Sequence, residues 1–215
     1  MSSLKETIEA LELPVPEDGI CNKLSAYCDA LWKANETVNL TRHTTYEKFV
    51  SRDLVDTIQV SRLIPAGRAV LDMGSGGGVP GMVLAILRPD LEVTLSESVG
   101  KKAVALEAIA KEISLDAEIC NSRAEKLLED FSYDFTTVRA VGPLYKICTW
   151  LDGVWSSAGK VLAIKGPNWK NEKNEAAEKG LLKKIDIEVV AEYSSPGADW
   201  NSLILQLSAK GYRKR

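Results

Sequence analysis

The chain has 215 residues, 45% of them hydrophobic, with 27 Lys+Arg against 30 Asp+Glu for a formal net charge of −3, which fits a globular protein with room for one substantial core. That charge excludes a globally basic nucleic-acid binder but leaves room for a local basic patch. No apolar run is long enough to cross a bilayer, and four cysteines with one histidine show no metal-ligand spacing. The N-terminal stretch MSSLKETIEALELPVPEDG has no basic region followed by an apolar one, and Cys21, Cys28, Cys120 and Cys148 form no CxxC pair. A cytoplasmic protein with reduced thiols and no metal is expected.

Residues 3–13 and 20–36 read as helices, the second with Ile20, Leu24, Tyr27, Cys28, Leu31 and Trp32 at helical spacing. PVPEDG links them. NLTRHTT interrupts the pattern, and YEKFVSRDLVDTIQVSRLI resumes it with Phe49, Leu54, Ile58 and Leu63 on one side. After PAGR, strands begin. Val70-Leu71 is short and apolar, Val79–Leu87 helical, and LEVTLS an alternating strand. GKKAVALEAIAKEISL is a helix with Val104, Ile109 and Ile113 inward, followed by strands at AEIC, YDFTTVRA and KVLAIKG. Strands alternating with helices imply parallel βαβ units. IDIEVVAEYS and NSLILQLSA are joined by SPGADW alone, too short for a crossover helix, so they form an antiparallel hairpin. The expected fold is α/β: a doubly wound, Rossmann-like sheet of five parallel strands closed by that hairpin. A helical cap over 1–65 precedes the sheet domain at 66–210, and GYRKR, 211–215, forms a basic tail.

VLDMGSGGGVPG sets five glycines directly after a strand. Ligands of doubly wound sheets sit at the carboxyl ends of the strands, where strand order reverses. Asp72 ends the first strand and Gly74, Gly76, Gly77 and Gly78 make the turn, letting backbone lie against a ligand. The next helix offers free N–H groups, with Pro80 suited to its first turn. Gly76, Gly78 and Gly81 also satisfy the GxGxxG of dinucleotide enzymes, whereas Asp72, Gly74, Gly76 and Gly78 satisfy the acidic-GxGxG of S-adenosylmethionine (SAM) enzymes. The C-terminal hairpin favours SAM. Glu97, ending the second strand, can accept ribose hydroxyls from either ligand.

These residues resemble the RsmG (GidB) family, bacterial SAM-dependent methyltransferases acting on guanine N7 of 16S ribosomal RNA. The similarity spans about 20–209. It is carried by DMGSGGGVPGMVLAILRPDLEVTLSESVGKK, Asn35, NLT at 39–41, Arg52, Asp56, Ser122, Arg123, Glu125, Arg139-Ala140 and Lys165-Gly166. Glu97 stands for the family's Asp and Lys102 for its Arg. Ala34 replaces a Trp, with Trp32 two residues earlier. The family's Arg-His pair is Arg52-Asp53, its Ser-Arg-Ala is Val138-Arg139-Ala140, and Trp200-Asn201-Ser202 replace basic residues.

The resemblance implies that the methionine end of SAM meets Gly74–Val79, the ribose Glu97, and the adenine the backbone at Ala124-Glu125. It places Arg139 near the reaction centre; Lys165 ends the fifth strand, so it is expected to face the same site as an RNA-phosphate contact, and these two are the catalytic candidates. Trp169, in the loop after the fifth strand, is a stacking candidate for a guanine. Arg42, His43 and Arg52 are candidates for RNA backbone. The expected partner is 16S rRNA or the small ribosomal subunit, bound by a monomer away from membranes. Guanine N7 carries a lone pair and no proton, so no general base is required, in keeping with VRAVGPL where amine methyltransferases carry (N/D)PP(Y/F). Rival readings are a SAM methyltransferase of a small molecule or protein, an NAD(P) oxidoreductase, and a ribosome binder that holds SAM without turnover.

Overall fold

The computed structural model describes residues 2–211, so of the basic tail only Gly211 lies inside the described residues. Helix α1 (Leu4–Ala10) starts at a capping box in which Ser3 and Glu6 satisfy each other's backbone N–H groups. It is shorter than the expected 3–13. Helix α2 (Asp18–Asn35) begins earlier than expected, because Asp18 and Gly19 join it rather than the linker. The helix expected from Tyr46 onward is composite: α3 (Tyr46–Lys48), a π-helical turn (Phe49–Leu54) and α4 (Val55–Ser61).

The sheet contains β1 (Ala69–Met73), β2 (Glu92–Ser96), β3 (Glu118–Cys120), β4 (Phe135–Arg139), β5 (Lys160–Lys165), β6 (Ile185–Ser194) and β7 (Asn201–Ala209). Their order is β3-β2-β1-β4-β5-β7-β6. The first five strands are parallel, and β7 runs antiparallel to both β5 and β6. This is the expected sheet. The crossover helices are α5 (Gly81–Leu87), α6 (Gly100–Glu112), α7 (Ala124–Asp130), α8 (Leu144–Trp150) and α9 (Trp155–Ala158), with α10 (Trp169–Glu178) before the hairpin.

Alternating strand residues feed two cores, one on each face. Val70, Leu95, Phe135, Leu162 and Ile204 pack with α5 and α6 and with Leu24, Tyr27, Leu31, Phe49 and Leu54 from the N-terminal helices. Leu71, Val138, Val161, Ala163 and Leu205 pack on the other face with Leu128, Leu144, Ile147 and Ala176. The helices between residues 4 and 61 therefore share a core with the sheet. Each fully buried Leu, Ile or Phe here is worth roughly 1.5–3 kcal/mol of burial, which ties the N-terminal helices firmly to the glycine-loop side.

Three local expectations are corrected. Val104 is 64% exposed; the inward register of α6 runs Ala103, Leu106, Ile109 and Ala110, and Val104 falls one residue out of it. Helix α5 begins at Gly81, which makes Pro80 its N-cap rather than part of its first turn. Trp169 opens α10 instead of sitting in a loop. That helix escapes a periodicity reading because Ala176 is its one fully buried residue.

Candidate active site

The loop after β1 is fixed from below by Asp72. Its two carboxylate oxygens accept hydrogen bonds from Thr137 Oγ1 at 2.8 Å and the Gly81 N–H at 3.1 Å. Burial raises the Asp72 pKa, although the Thr137, Ser75 and Gly81 hydrogen bonds pull the other way. Both oxygens point into the protein, so Asp72 ties β1, β4 and α5 together and does not line the cleft.

The glycines divide by task. A Cβ on Gly81 would lie 2.7 Å from Asp72 Oδ2 and 2.9 Å from Leu95 Cγ, so this glycine lets α5 pack against the strands. A Cβ on Gly77 would lie 3.0 Å from the Leu40 carbonyl oxygen, where the N-terminal loop presses on the turn. Gly76 differs: its φ is +58° and the nearest atom to a built Cβ is the Gly74 oxygen at 3.9 Å. Of the turn's glycines it is the one where a Cβ would meet nothing closer than ordinary contact distance. The expectation that all these missing side chains make room for a ligand narrows to Gly76.

The N-terminal helices buttress the turn. Tyr27 donates its hydroxyl to the Gly77 carbonyl at 2.7 Å. Asn35 Oδ1 accepts from the Leu40 and Thr41 N–H groups at 2.8 and 2.9 Å, closing the loop that sets Leu40 against Gly77. Asn35 and NLT thus have a structural reason for their spacing.

Glu97 is 6% exposed. Its carboxylate accepts from the Gly76 N–H at 2.9 Å and the Val99 N–H at 2.8 Å. Each oxygen keeps a further lone pair, so the carboxylate is held rigidly and can still accept two hydroxyls. Beside it opens a cleft lined by Met73, Gly74, Ser96, Ser98, Ser122, Arg123, Ala124, Glu125, Val141 and Trp150. Of the expected cofactor residues, Gly74, Ala124 and Glu125 line this cleft. Glu97 sits between the lining residues Ser96 and Ser98 and is bonded to Gly76, but neither it nor Gly76, Gly78 or Val79 lines the cleft. Ser98, Val141 and Trp150 were missed. Trp150 reaches the cleft from α8, and nothing in local sequence announces that approach. Ala140, between Arg139 and Val141, adopts φ +54°; a left-handed alanine is a strained conformation and turns the chain sharply where β4 enters the site.

Arg139 is locked in a buried ionic network. Its guanidinium contacts Asp53 at 2.6 Å and Asp56 at 3.1 Å, with its side chain 15% exposed. Asp53 also meets His43 Nδ1 at 2.8 Å, and Asp56 accepts the Tyr193 hydroxyl at 2.7 Å. Burial works against the Arg139 charge, but the two carboxylates overcome it and raise its pKa. Asp56 is raised by burial despite Arg139. The network joins the π-helical turn, β4 and β6. Position 53, where the resembled family carries histidine, here carries the aspartate that receives His43.

Lys165 is equally engaged. Its ammonium donates to the Gly142 carbonyl at 2.7 Å and to Glu172 Oε2 at 2.8 Å, with its side chain 9% exposed. Glu172 Oε2 also accepts from the Leu144 N–H at 3.0 Å. Lys165 therefore braces the β4–α8 loop against α10. Arg42, His43 and Arg52 do come together: with Lys48 they line one surface groove that also contains Glu47, Ser51 and Gly197. Among the described residues no cluster of His, Cys, Asp and Glu is arranged to hold a metal, and no helix is long and apolar enough to cross a membrane.

A family model described as rRNA small subunit methyltransferase G matches residues 20–197. The chain is 46% identical over 192 residues to the Ribosomal RNA small subunit methyltransferase G of Rhodopirellula baltica, covering 89% of this chain and 83% of that one. It is 32% identical over 194 residues to the protein of the same name from Halorhodospira halophila, covering 90% and 91%. Among solved structures, the O-methyltransferase from Bacillus cereus in complex with SAH superposes with a TM-score of 0.58 at 12% identity, covering 96% of this chain and 97% of that one. The ribosomal protein L11 methylase from Lactobacillus delbrueckii superposes with a TM-score of 0.52 at 15% identity, covering 74% and 79%. These two likenesses establish the methyltransferase fold.

Proposed function

Because the chain belongs to the rRNA small subunit methyltransferase G family, we propose that it transfers a methyl group from SAM to N7 of a guanine in 16S rRNA. The observation that carries the cofactor assignment is the pairing of Glu97 with the Gly76 N–H, at a turn position where a Cβ would meet no atom closer than 3.9 Å. A carboxylate fixed by two backbone donors suits a ribose diol, and the uncrowded turn at Gly76 suits an amino-acid tail. The cleft beyond, with Ser98, Ala124 and Trp150, suits an adenine. When bound, SAM supplies a methyl group activated by a sulfonium.

The chain's own task is then positioning. In-line displacement needs the acceptor held opposite the leaving sulfur, and guanine N7 needs no proton removed. His43, whose Nδ1 meets Asp53, lines the surface groove with Arg42 and Arg52 and not the cleft beside Glu97. Asp72 and Tyr27 hold the turn, while Ala140 turns the chain beyond β4. Arg139 shapes the reaction centre through its ionic contacts, and Lys165 sets the loop that follows. Arg42, Lys48 and Arg52 form the basic surface that meets RNA phosphates. Complementation tests the assignment. In a host lacking the family's enzyme, expression of this chain should restore one 7-methylguanosine in 16S rRNA, seen by mass spectrometry of digested RNA. Soluble expression without restoration would refute it.

A further inference from the structure

We propose that the groove between the start of α10 and the β6–β7 turn binds an unpaired guanine of the RNA substrate, next to the nucleotide that is methylated. The inference rests on rRNA being the substrate. Trp169 and Trp200 both line this groove, with Pro167, Asp199, Asn201 and Leu203. Trp200 is 47% exposed, an unusual amount of apolar ring to leave in water. Each indole carries a cation: the Arg52 guanidinium lies 5.4 Å from the Trp200 ring, and Lys170 Nζ lies 5.9 Å from the Trp169 ring. Indoles provide stacking surfaces for a base, and a cation held over each ring adds a cation–π contact and a charge for the phosphates of the bound strand.

The groove also contains acceptors. Glu192 accepts from Asn201 Nδ2 at 3.1 Å, and the exposed Asp199 carboxylate stands beside it. The groove is lined by carboxylates and by neither cation, which favours a base over a phosphate in the groove itself. Guanine alone among the four bases presents two adjacent donors, N1–H and N2–H, on its pairing edge, which one carboxylate can accept together. Location adds a further constraint. Leu203 pairs with Lys165 at the carboxyl end of the sheet, and β5 and β7 lie two and three strands from β1. At ~4.8 Å per strand the groove is roughly 10–14 Å from the glycine turn, suited to a neighbour of the target nucleotide. The family match ends at residue 197, so Asp199 and Trp200 are features of this chain that the match does not assign.

The test follows tryptophan emission while single-stranded RNA hexamers UUGUUU, UUIUUU (I, inosine) and UUUUUU are titrated into the full chain. The expected result is about tenfold tighter binding of the guanine hexamer than of the other two, the size of effect expected when one carboxylate accepts both guanine donors. Trp200→Ala should remove that advantage, Trp200→Tyr should restore most of it, and Asp199→Asn should erase the preference for guanine over inosine. SAM affinity and Tm should stay as in the wild type. Equal binding of the three hexamers, or an unchanged guanine preference in Trp200→Ala, overturns the groove. Methylation of 16S rRNA without a guanine preference overturns the groove alone. A guanine preference in a protein that methylates no rRNA overturns the functional reading and supports the groove.

Discussion

Replacing Gly76 and Gly81 separately by alanine distinguishes room for a ligand from room for packing. At Gly76 the added Cβ meets nothing closer than 3.9 Å, but the φ of +58° is unfavourable for alanine. That strain costs roughly 1–2 kcal/mol, or a Tm fall of about 2–8 °C for a chain of this size. The proposed cofactor lies against this turn, so the added methyl group should lower SAM affinity measured by calorimetry at least about tenfold, equivalent to ~1.4 kcal/mol. At Gly81 the new Cβ would lie 2.7 Å from Asp72 Oδ2, 2.8 Å from Asp72 Cβ and 2.9 Å from Leu95 Cγ. Those atoms belong to strands held in the sheet, and Asp72 is further pinned by Thr137. Overpacking of this kind costs roughly 1–3 kcal/mol or more. Gly81→Ala should therefore lower Tm by about 2–12 °C, while the folded protein retains more SAM affinity than Gly76→Ala. If Gly76→Ala binds SAM as the wild type does, the cofactor does not lie against this turn. If Gly81→Ala leaves Tm unchanged, the packing assignment is wrong.

Arg139→Met should destabilise the protein by roughly 3–5 kcal/mol, because it strands buried Asp53 and Asp56 without their cation; urea denaturation with and without an added Asp53→Asn change should show partial rescue, and a loss under about 1 kcal/mol would refute the network. Lys48→Ala should weaken rRNA binding and reduce the slope of log affinity against log salt by about 0.7–0.9, with SAM affinity intact; an unchanged slope would remove that groove from the RNA surface. Burial pushes the Cys148 thiol from 9.0 up to about 11. A raised thiol pKa means that the folded state holds its proton longer than the unfolded state. The associated stability is full below about pH 9 and falls as pH rises towards about 11, on the order of 1.4 kcal/mol for each pH unit. Denaturation midpoints of wild type and Cys148→Ala across this window should converge, and parallel curves would contradict the assignment.

The sheet was legible because its strands are short apolar runs between turn signals, and because SPGADW leaves no room for a crossover helix. The glycine turn and Glu97 were legible from their position relative to strand ends. Other features arise only from long-range packing. The π-helical turn has no distinct period in a stretch this short, yet it carries both Arg52 and Asp53. Arg139 and Lys165 look like strand-end residues facing a site, but Asp53, Asp56, Gly142 and Glu172 occupy their charged groups. Trp150 lines the cleft from a helix of seven residues that has no strong pattern. Charge partners separated by more than eighty residues, such as Asp53 and Arg139, leave no mark in local spacing.

Transfer of methyl groups to small-subunit rRNA at guanine N7 is the central claim. The direct measurement incubates the protein with radiolabelled SAM and small ribosomal subunits from a host lacking the family's enzyme, then digests the RNA to nucleosides. Label in 7-methylguanosine is the predicted result. Label in another nucleoside would contradict the N7 assignment, and no label from a protein that binds SAM would contradict the ribosomal substrate itself.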